Sequence, residues 1–288
     1  MFPECFLMRN ETSIKSSGTK TLGKRAAQLL TALYERGRPT FTLADVRDIT
    51  GLNPGSARTL VHKARARGLI TRLKAGRYNL VPYELGRATE FVADPYLIAR
   101  DVVEGAPYFL SHATAFEIHR LTTRPNLEIF VSSPRRFRRQ TIGGYRFHFV
   151  LVPAARFFGA TSQWVTKEHC VAVSDLERSV IDGLRLPQYV GGITEVATGL
   201  WMRRAEFDVP RCLDYARRLG VAAVRSRLGF LLERYSLADD ASLRSLRAEP
   251  ASAYNRLDPT LPAEGARLSS WRLQLNVAPE ELDAVRSG

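Results

Sequence analysis

The tightest cluster of groups able to make or break bonds is Glu168, His169, Asp175, Glu177 and Asp182. Carboxylates gathered in this way can bind Mg²⁺ or share acid and base roles. Asp175 and Glu177, however, fall in the first turn of an expected helix, where the macrodipole favours negative charge. Glu177 and Arg178 then read as an ordinary surface pair. A nuclease site of an acidic pair followed by Glu-x-Lys finds no lysine, because none of the six follows a suitable acid. There is no Gly-rich phosphate loop, no Gly-x-Ser-x-Gly and no His-Glu-x-x-His. His112 and His119, seven apart, fall near one face of an expected helix and read as structural histidines before a weak metal site. The expectation is no catalytic residue, no metal, no cofactor and no enzyme activity; a metal-dependent nucleic-acid enzyme using Glu168–Asp182 is the outlying alternative.

Binding chemistry is more legible. In the stretch from Ser56 to Arg67, Ala57, Leu60, Val61 and Ala64 recur at the spacing of one helical face. The opposite face carries Gly55, Thr59, His62 and Ala66, flanked by Ser56, Arg58, Lys63 and Arg65. A helix that approaches base edges needs short outward residues at its centre and cations at its margins. A solvated basic surface helix is the competing reading, and the neighbouring elements decide between them.

Those neighbours form an ordered series. Leu22, Ala26, Leu29, Leu30, Leu33 and Tyr34 predict a helix within 21–36, ended by Gly37. Thr42 is a plausible N-cap for a second helix, Leu43 to Thr50, stopped by Gly51. Asn53 caps a third, with Pro54 at its first position, where a missing N–H costs nothing. After Gly68, Leu69–Leu73 and Arg77–Val81 read as paired strands around Lys74-Ala-Gly76. Helix, helix, turn, helix and hairpin is the order of a winged helix-turn-helix spanning 21–82. The third helix would read the major groove through Asn53, Ser56, Arg58, Thr59, His62, Lys63 and Arg65. The hairpin would grip phosphate through Arg72, Lys74 and Arg77.

The charge supports that placement. Residues 1–82 hold 15 Lys/Arg against 5 Asp/Glu, while residues 83–288 hold 27 against 24. A basic front on a nearly balanced body fits a polyanionic partner, double-stranded DNA above an anionic membrane. An apolar fraction of 45% with 25% charged residues is that of a globular protein, and no stretch approaches a membrane span. Met1–Met8 is too short and lacks a basic lead for a secretory signal. Cys5, Cys170 and Cys212 are odd in number and far apart, which fits a reducing cytoplasm and no zinc site.

Residues 1–20 read as a flexible extension. Pro82–Gly86 reads as a linker into a larger mixed α+β domain, 83–288. Helices are expected from Asp94–Pro95, from a cap at Ser111, from Ser174 or Asp175 to about Arg185, and near 193–204, 210–219 and 221–235. Strands are expected at Tyr108–Leu110, Leu127–Val131, Tyr145–Val152 and Cys170–Val173, with 267–277 as a strand or hairpin arm. Between them, Arg135, Arg136, Arg138 and Arg139 surround Phe137 in a loop that could add a second nucleic-acid contact or simply be solvated.

Phe109-Leu-Ser-His-Ala-Thr-Ala115 with His119 and Leu121-Thr122, then Val173-Ser-Asp-Leu-Glu-Arg-Ser-Val-Ile-Asp-Gly183 and Gly191-Gly192, then Leu257-Asp-Pro259, Glu264-Gly265 and Trp271-Arg-Leu273 resemble the AbiEi-type antitoxin family. The resemblance runs from about residue 20 to 277. It implies a cytosolic bacterial antitoxin of a type IV toxin–antitoxin system linked to phage defence. The implied winged domain binds repeated sites in its own promoter and represses the operon. The implied C-terminal domain is needed to neutralise a nucleotidyltransferase-like toxin, without stable toxin binding being required. No catalytic role carries over to His112 or Asp175. A ligand-sensing regulator without a toxin partner is the alternative in the same fold class.

Overall fold

The computed structural model describes residues 22–86, 88, 91–103, 105–167, 169–249 and 251–286. The expected 1–20 extension and Glu168 lie outside them. The chain is α+β and divides into two compact units. One runs to Asp94 and includes Ile142–Gly144; the other comprises Pro95–Thr141 and the chain from Tyr145 onward.

In the smaller unit, α1 (Lys24–Glu35) buries Ala26, Leu29, Leu30 and Leu33 at helical spacing. A short strand follows, β1 (Thr40–Thr42), which the sequence pattern did not announce. Thr42 also opens α2 (Leu43–Thr50). Its hydroxyl accepts from the Asp45 N–H while Asp45 Oδ2 accepts from the Thr42 N–H at 2.7 Å, a reciprocal capping box. Gly51 closes the helix at φ 68°, the left-handed region glycine enters without strain. The carbonyls this exposes are met by α1, since Gln28 donates to Ile49 O at 3.0 Å and Arg25 to Thr50 O at 3.3 Å.

After a short turn, Asn53 Oδ1 accepts from the Ser56 N–H at 2.9 Å, and Pro54 takes the first position of α3 (Pro54–Ala66). Strands β2 (Ile70–Lys74) and β3 (Arg77–Leu80) pair antiparallel, and β3 also pairs antiparallel with β1, giving the order β1-β3-β2. The core is the apolar stripe of α1 closed by Phe41, Val46, Ala57, Val61, Ala64, Leu69, Ile70 and Leu80.

The larger unit is built on a mixed six-stranded sheet. After α4 (Pro95–Val102) come β4 (Phe109–Leu110), α5 (His112–Ile118), β5 (Glu128–Ser133), β6 (Gln140–Ile142), β7 (Tyr145–Leu151), β8 (Ala160–Trp164) and β9 (Cys170–Ser174). The strand order is β6-β7-β5-β4-β9-β8. β5 runs parallel to β7 and β4 parallel to β9, whereas β4–β5 and β8–β9 are antiparallel. β8 was not expected because all five of its residues are exposed, so it shows no buried alternation.

Helices α6 (Leu176–Arg185), α7 (Ile193–Met202), α8 (Val209–Leu219), α9 (Ala222–Arg234) and α10 (Asp240–Arg247) follow and share one apolar core. The stretch expected as one arm at 267–277 is a complete hairpin. β11 (Ala266–Leu268) turns through Ser269–Trp271 and Arg272, at φ 50°, into β12 (Leu273–Leu275). It joins β10 (Asn255–Arg256) in a three-stranded sheet before α11 (Pro279–Ala284). Cys170 and Cys212 are free thiols. No helix among the described residues is long and apolar enough to cross a membrane.

Candidate nucleic-acid interface

Helix α3 turns Ala57, Val61 and Ala64 inward and leaves Ser56, Arg58, Thr59, His62, Lys63 and Arg65 exposed. These inward residues belong to the core of the smaller unit, with Leu60 packed against it. Asn53 is also exposed, with its carbonyl oxygen committed to the cap. The Thr59 hydroxyl donates to Gly55 O at 3.1 Å, leaving its oxygen lone pairs outward. Arg58, Lys63 and Arg65 make no ion pair among the described residues. That is a property of the surrounding sequence: between Asp48 and Glu84 there is no carboxylate and there are seven Lys/Arg. Arg67, absent from the expected set, is the C-cap residue of α3, exposed and within the same run.

The β2–β3 hairpin presents its cations unequally. Arg72 is exposed, with Nε donating to Lys74 O at 3.4 Å. Lys74 is half-buried; desolvation and then the charge of Arg77 lower its pKa from the ordinary lysine value. Arg77 departs from the expectation. It is only 8% exposed, so its guanidinium is not offered to solvent as a phosphate grip. The register Lys74↔Arg77 leaves Ala75-Gly76 as the turn, with Gly76 at φ 75°.

In the larger unit, Asp175, Glu177 and Asp182 of the acidic cluster are already engaged by protein groups. Asp175 caps α6, accepting from the Arg178 N–H at 2.8 Å and from the Tyr215 hydroxyl at 2.7 Å. Glu177 and Arg178 are not the surface pair their adjacency suggested; both are buried and they face different partners. Glu177 accepts from the Asp208 N–H at 2.9 Å and pairs with Arg211 at 3.4 Å. Arg178 pairs with Asp182 at 3.0 Å, donates to the carbonyls of Arg156 and Phe158, and lies over the Phe158 ring at 4.4 Å. Most of α6 is thus buried, and its Glu177, Arg178 and Asp182 each face a counter-charge.

The two histidines are also apart. His112 begins α5 and His119 ends it, about 10 Å of helix away. His112 Nδ1 lies 2.9 Å from Ser111 Oγ, which accepts from Ser132 at 2.8 Å; Ser111 therefore makes this contact instead of the side-chain cap expected of it. Burial pushes the His112 pKa down to about 4. His119 Nε2 donates to Ser174 O at 2.6 Å. Among the described residues no group of His, Cys, Asp or Glu is placed to hold a metal ion.

Arg135, Arg136, Arg138 and Arg139 are exposed on the loop between β5 and β6. Phe137 at their centre is half-buried against Phe149, with ring centroids 5.2 Å apart.

No family model matches the chain, and no curated protein does. Among solved structures, the chain is similar to the RV2827C protein from Mycobacterium tuberculosis, at 17% identity and a TM-score of 0.66, over 96% of this chain and 99% of that one. At that identity the likeness concerns the fold alone, and it extends over both units.

Proposed function

We propose that the smaller unit is a winged helix-turn-helix that binds double-stranded DNA, with α3 in the major groove and the β2–β3 hairpin as the wing. One observation carries the reading: α3 presents Ser56, Arg58, Thr59, His62, Lys63 and Arg65 to solvent, small or polar at the centre and cationic at the margins, with no carboxylate to compete for the cations. The order α1, α2, Gly51 turn, α3, hairpin supports it. Arg72 and Lys74 act on the backbone at the wing; Arg77, being buried, is left out of the contact set.

The protein is read as a cytoplasmic repressor without catalysis of its own. The motifs shared with AbiEi-type antitoxins support the narrower proposal that the DNA is the chain's own promoter. On the same ground, the larger unit counteracts a nucleotidyltransferase-like toxin. A nucleotidyltransferase-like reading frame beside this one is the expected neighbour; its absence favours a ligand-sensing regulator. Quantitative binding to upstream DNA tests the groove assignment. Arg58→Ala should relax discrimination at one base position by about 1–3 kcal/mol. Lys63→Ala should weaken all sequences and lower the salt slope by about one unit. An Arg58→Ala, Thr59→Ala double variant that binds its promoter as well as the parent at physiological salt would overturn the assignment.

A further inference from the structure

In the larger unit, several arginines are paired with carboxylates, among them Arg124 with Glu195, Arg146 with Glu128, Arg178 with Asp182, Arg211 with Glu177, Arg225 with Glu249 and Arg234 with Asp283. The loop from Pro134 to Arg139 gathers arginines without such partners. Between Glu128 and Glu168 the chain carries seven Lys/Arg and no acid. Arg135, Arg136 and Arg138 have no ion pair among the described residues.

The loop is also held in place. At its start the Arg135 N–H donates to Ser133 Oγ at 3.2 Å, and Ser133 Oγ donates to Pro107 O at 2.7 Å. At its middle, Phe137 packs on Phe149, and the Arg135 guanidinium lies 5.7 Å from the Phe137 ring centre. At its end, Arg139 donates to His148 Nδ1 at 2.5 Å. The register Phe130↔His148 and Val131↔Phe149 puts His148 and Phe149 on opposite faces of the sheet. The loop therefore clasps the strand from both sides, and its backbone is anchored before any partner arrives, which lowers the ordering cost of binding.

We propose that the loop Pro134–Arg139 is a second nucleic-acid contact, in which Arg135, Arg136 and Arg138 engage the phosphodiester backbone of duplex DNA without reading its sequence. The inference rests on the DNA-binding reading above and extends it to the larger unit. Three neighbouring outward arginines on a held loop suit the spaced charges of a phosphodiester backbone, and an unchanged preference between duplexes separates this from guanine readout. Arg139, spent on His148, positions the loop.

The test measures the salt dependence of binding to a labelled duplex by the full chain and two variants. One is Arg135→Ala, Arg136→Ala, Arg138→Ala; the other is Arg58→Ala, Lys63→Ala, Arg65→Ala. Each cation withdrawn from a phosphate should lower the slope of log Kobs against log salt by about 0.9, so the loop variant should fall short of the parent by about 2–3 units. Its preference between promoter and scrambled duplex should stay that of the parent. The matching Arg→Lys loop variant should restore the slope. A loop variant with the parental slope overturns the loop contact and leaves the α3 reading standing. A parental slope in the α3 variant, with the reduction confined to the loop variant, overturns the α3 reading alone. No duplex binding by the parent overturns both. An unchanged duplex slope together with abolished binding to polyglutamate transfers the loop to an acidic protein partner and overturns the nucleic-acid assignment.

Discussion

Asp182 decides between structural and catalytic readings of α6. Its side chain is 1% exposed and that of Arg178 is 0% exposed, with Nε and Oδ2 3.0 Å apart. Asp182→Ala would leave a guanidinium buried without its counter-charge. Removing one partner of a buried pair costs about 3–5 kcal/mol. The Arg178 side chain keeps the carbonyls of Arg156 and Phe158 at 2.9 and 3.2 Å and the Phe158 ring, so about 3 kcal/mol, the lower end of that range, is expected. The double variant Arg178→Met, Asp182→Leu removes both charges and should be less destabilised than Asp182→Ala. The assay is urea unfolding followed by tryptophan fluorescence. Trp164, Trp201 and Trp271 all belong to the larger unit, so the signal excludes the smaller one. A cost below about 1 kcal/mol for Asp182→Ala would refute the reasoning, because it would mean that the pair adds no more than an exposed one. Unchanged unfolding together with loss of a metal-dependent nuclease activity would restore the acidic cluster as a catalytic site.

Three further outcomes follow from the packing. Gly229 lies under Trp271: a Cβ there would fall 2.1 Å from Cζ3, and the ring is held by Nε1 donating to Glu233 at 2.5 Å. Gly229→Ala should cost about 1–3 kcal/mol, read by the same fluorescence transition. On α3, a Cβ at Gly55 meets nothing closer than Asn53 Oδ1 at 3.5 Å, so Gly55→Ala should stabilise the smaller unit by about 0.5 kcal/mol. It should nevertheless weaken duplex binding, because in the proposed complex the methyl would face the groove; tighter binding would move the contact off this face. His112, neutral when buried, has its pKa lowered from 6.5 to about 4. The unfolded chain therefore takes up the proton first, and stability present above pH 6.5 is lost as pH falls toward 4. Urea unfolding at pH 7 and pH 5 should differ by about 2 kcal/mol from this residue, a difference that His112→Asn removes. Asparagine is chosen because residue 112 has φ 50°.

The smaller unit was legible because its punctuation is local. Thr42 with Asp45, Gly51, Asn53-Pro54 and Gly76 each act on residues within four positions, and the structure uses each of them where the sequence set it. What escaped was non-local. β1 is three residues long and exists as a strand only through its pairing with β3. β8 is an exposed strand recognisable only beside β9. α10 is a short helix whose anchors, Leu243 and Leu246, join a core drawn from six other helices and the C-terminal sheet. The same distinction explains Glu177 and Arg178. Adjacent opposite charges look like a surface pair, but their true partners, Arg211 and Asp182, are set by how α6 packs.

Charge, then, carries functional information only after pairing is known. The larger unit has more Lys/Arg than the smaller one, yet a number of its arginines already face a carboxylate. An exposed pair of this kind is worth little in stability and leaves little net field outside the protein. Arg58, Lys63 and Arg65 between Asp48 and Glu84, and Arg135, Arg136 and Arg138 between Glu128 and Glu168, stay outward with no ion pair among the described residues. One of these acid-free runs contains α3 and its hairpin; the other contains the clasped loop. Net charge per domain points only to the first. The gaps between carboxylates along the chain point to both once the cations that folding buries or engages, Arg77, Arg139 and Arg146, are set aside; those left outward are met by water or by an anion the chain does not itself supply.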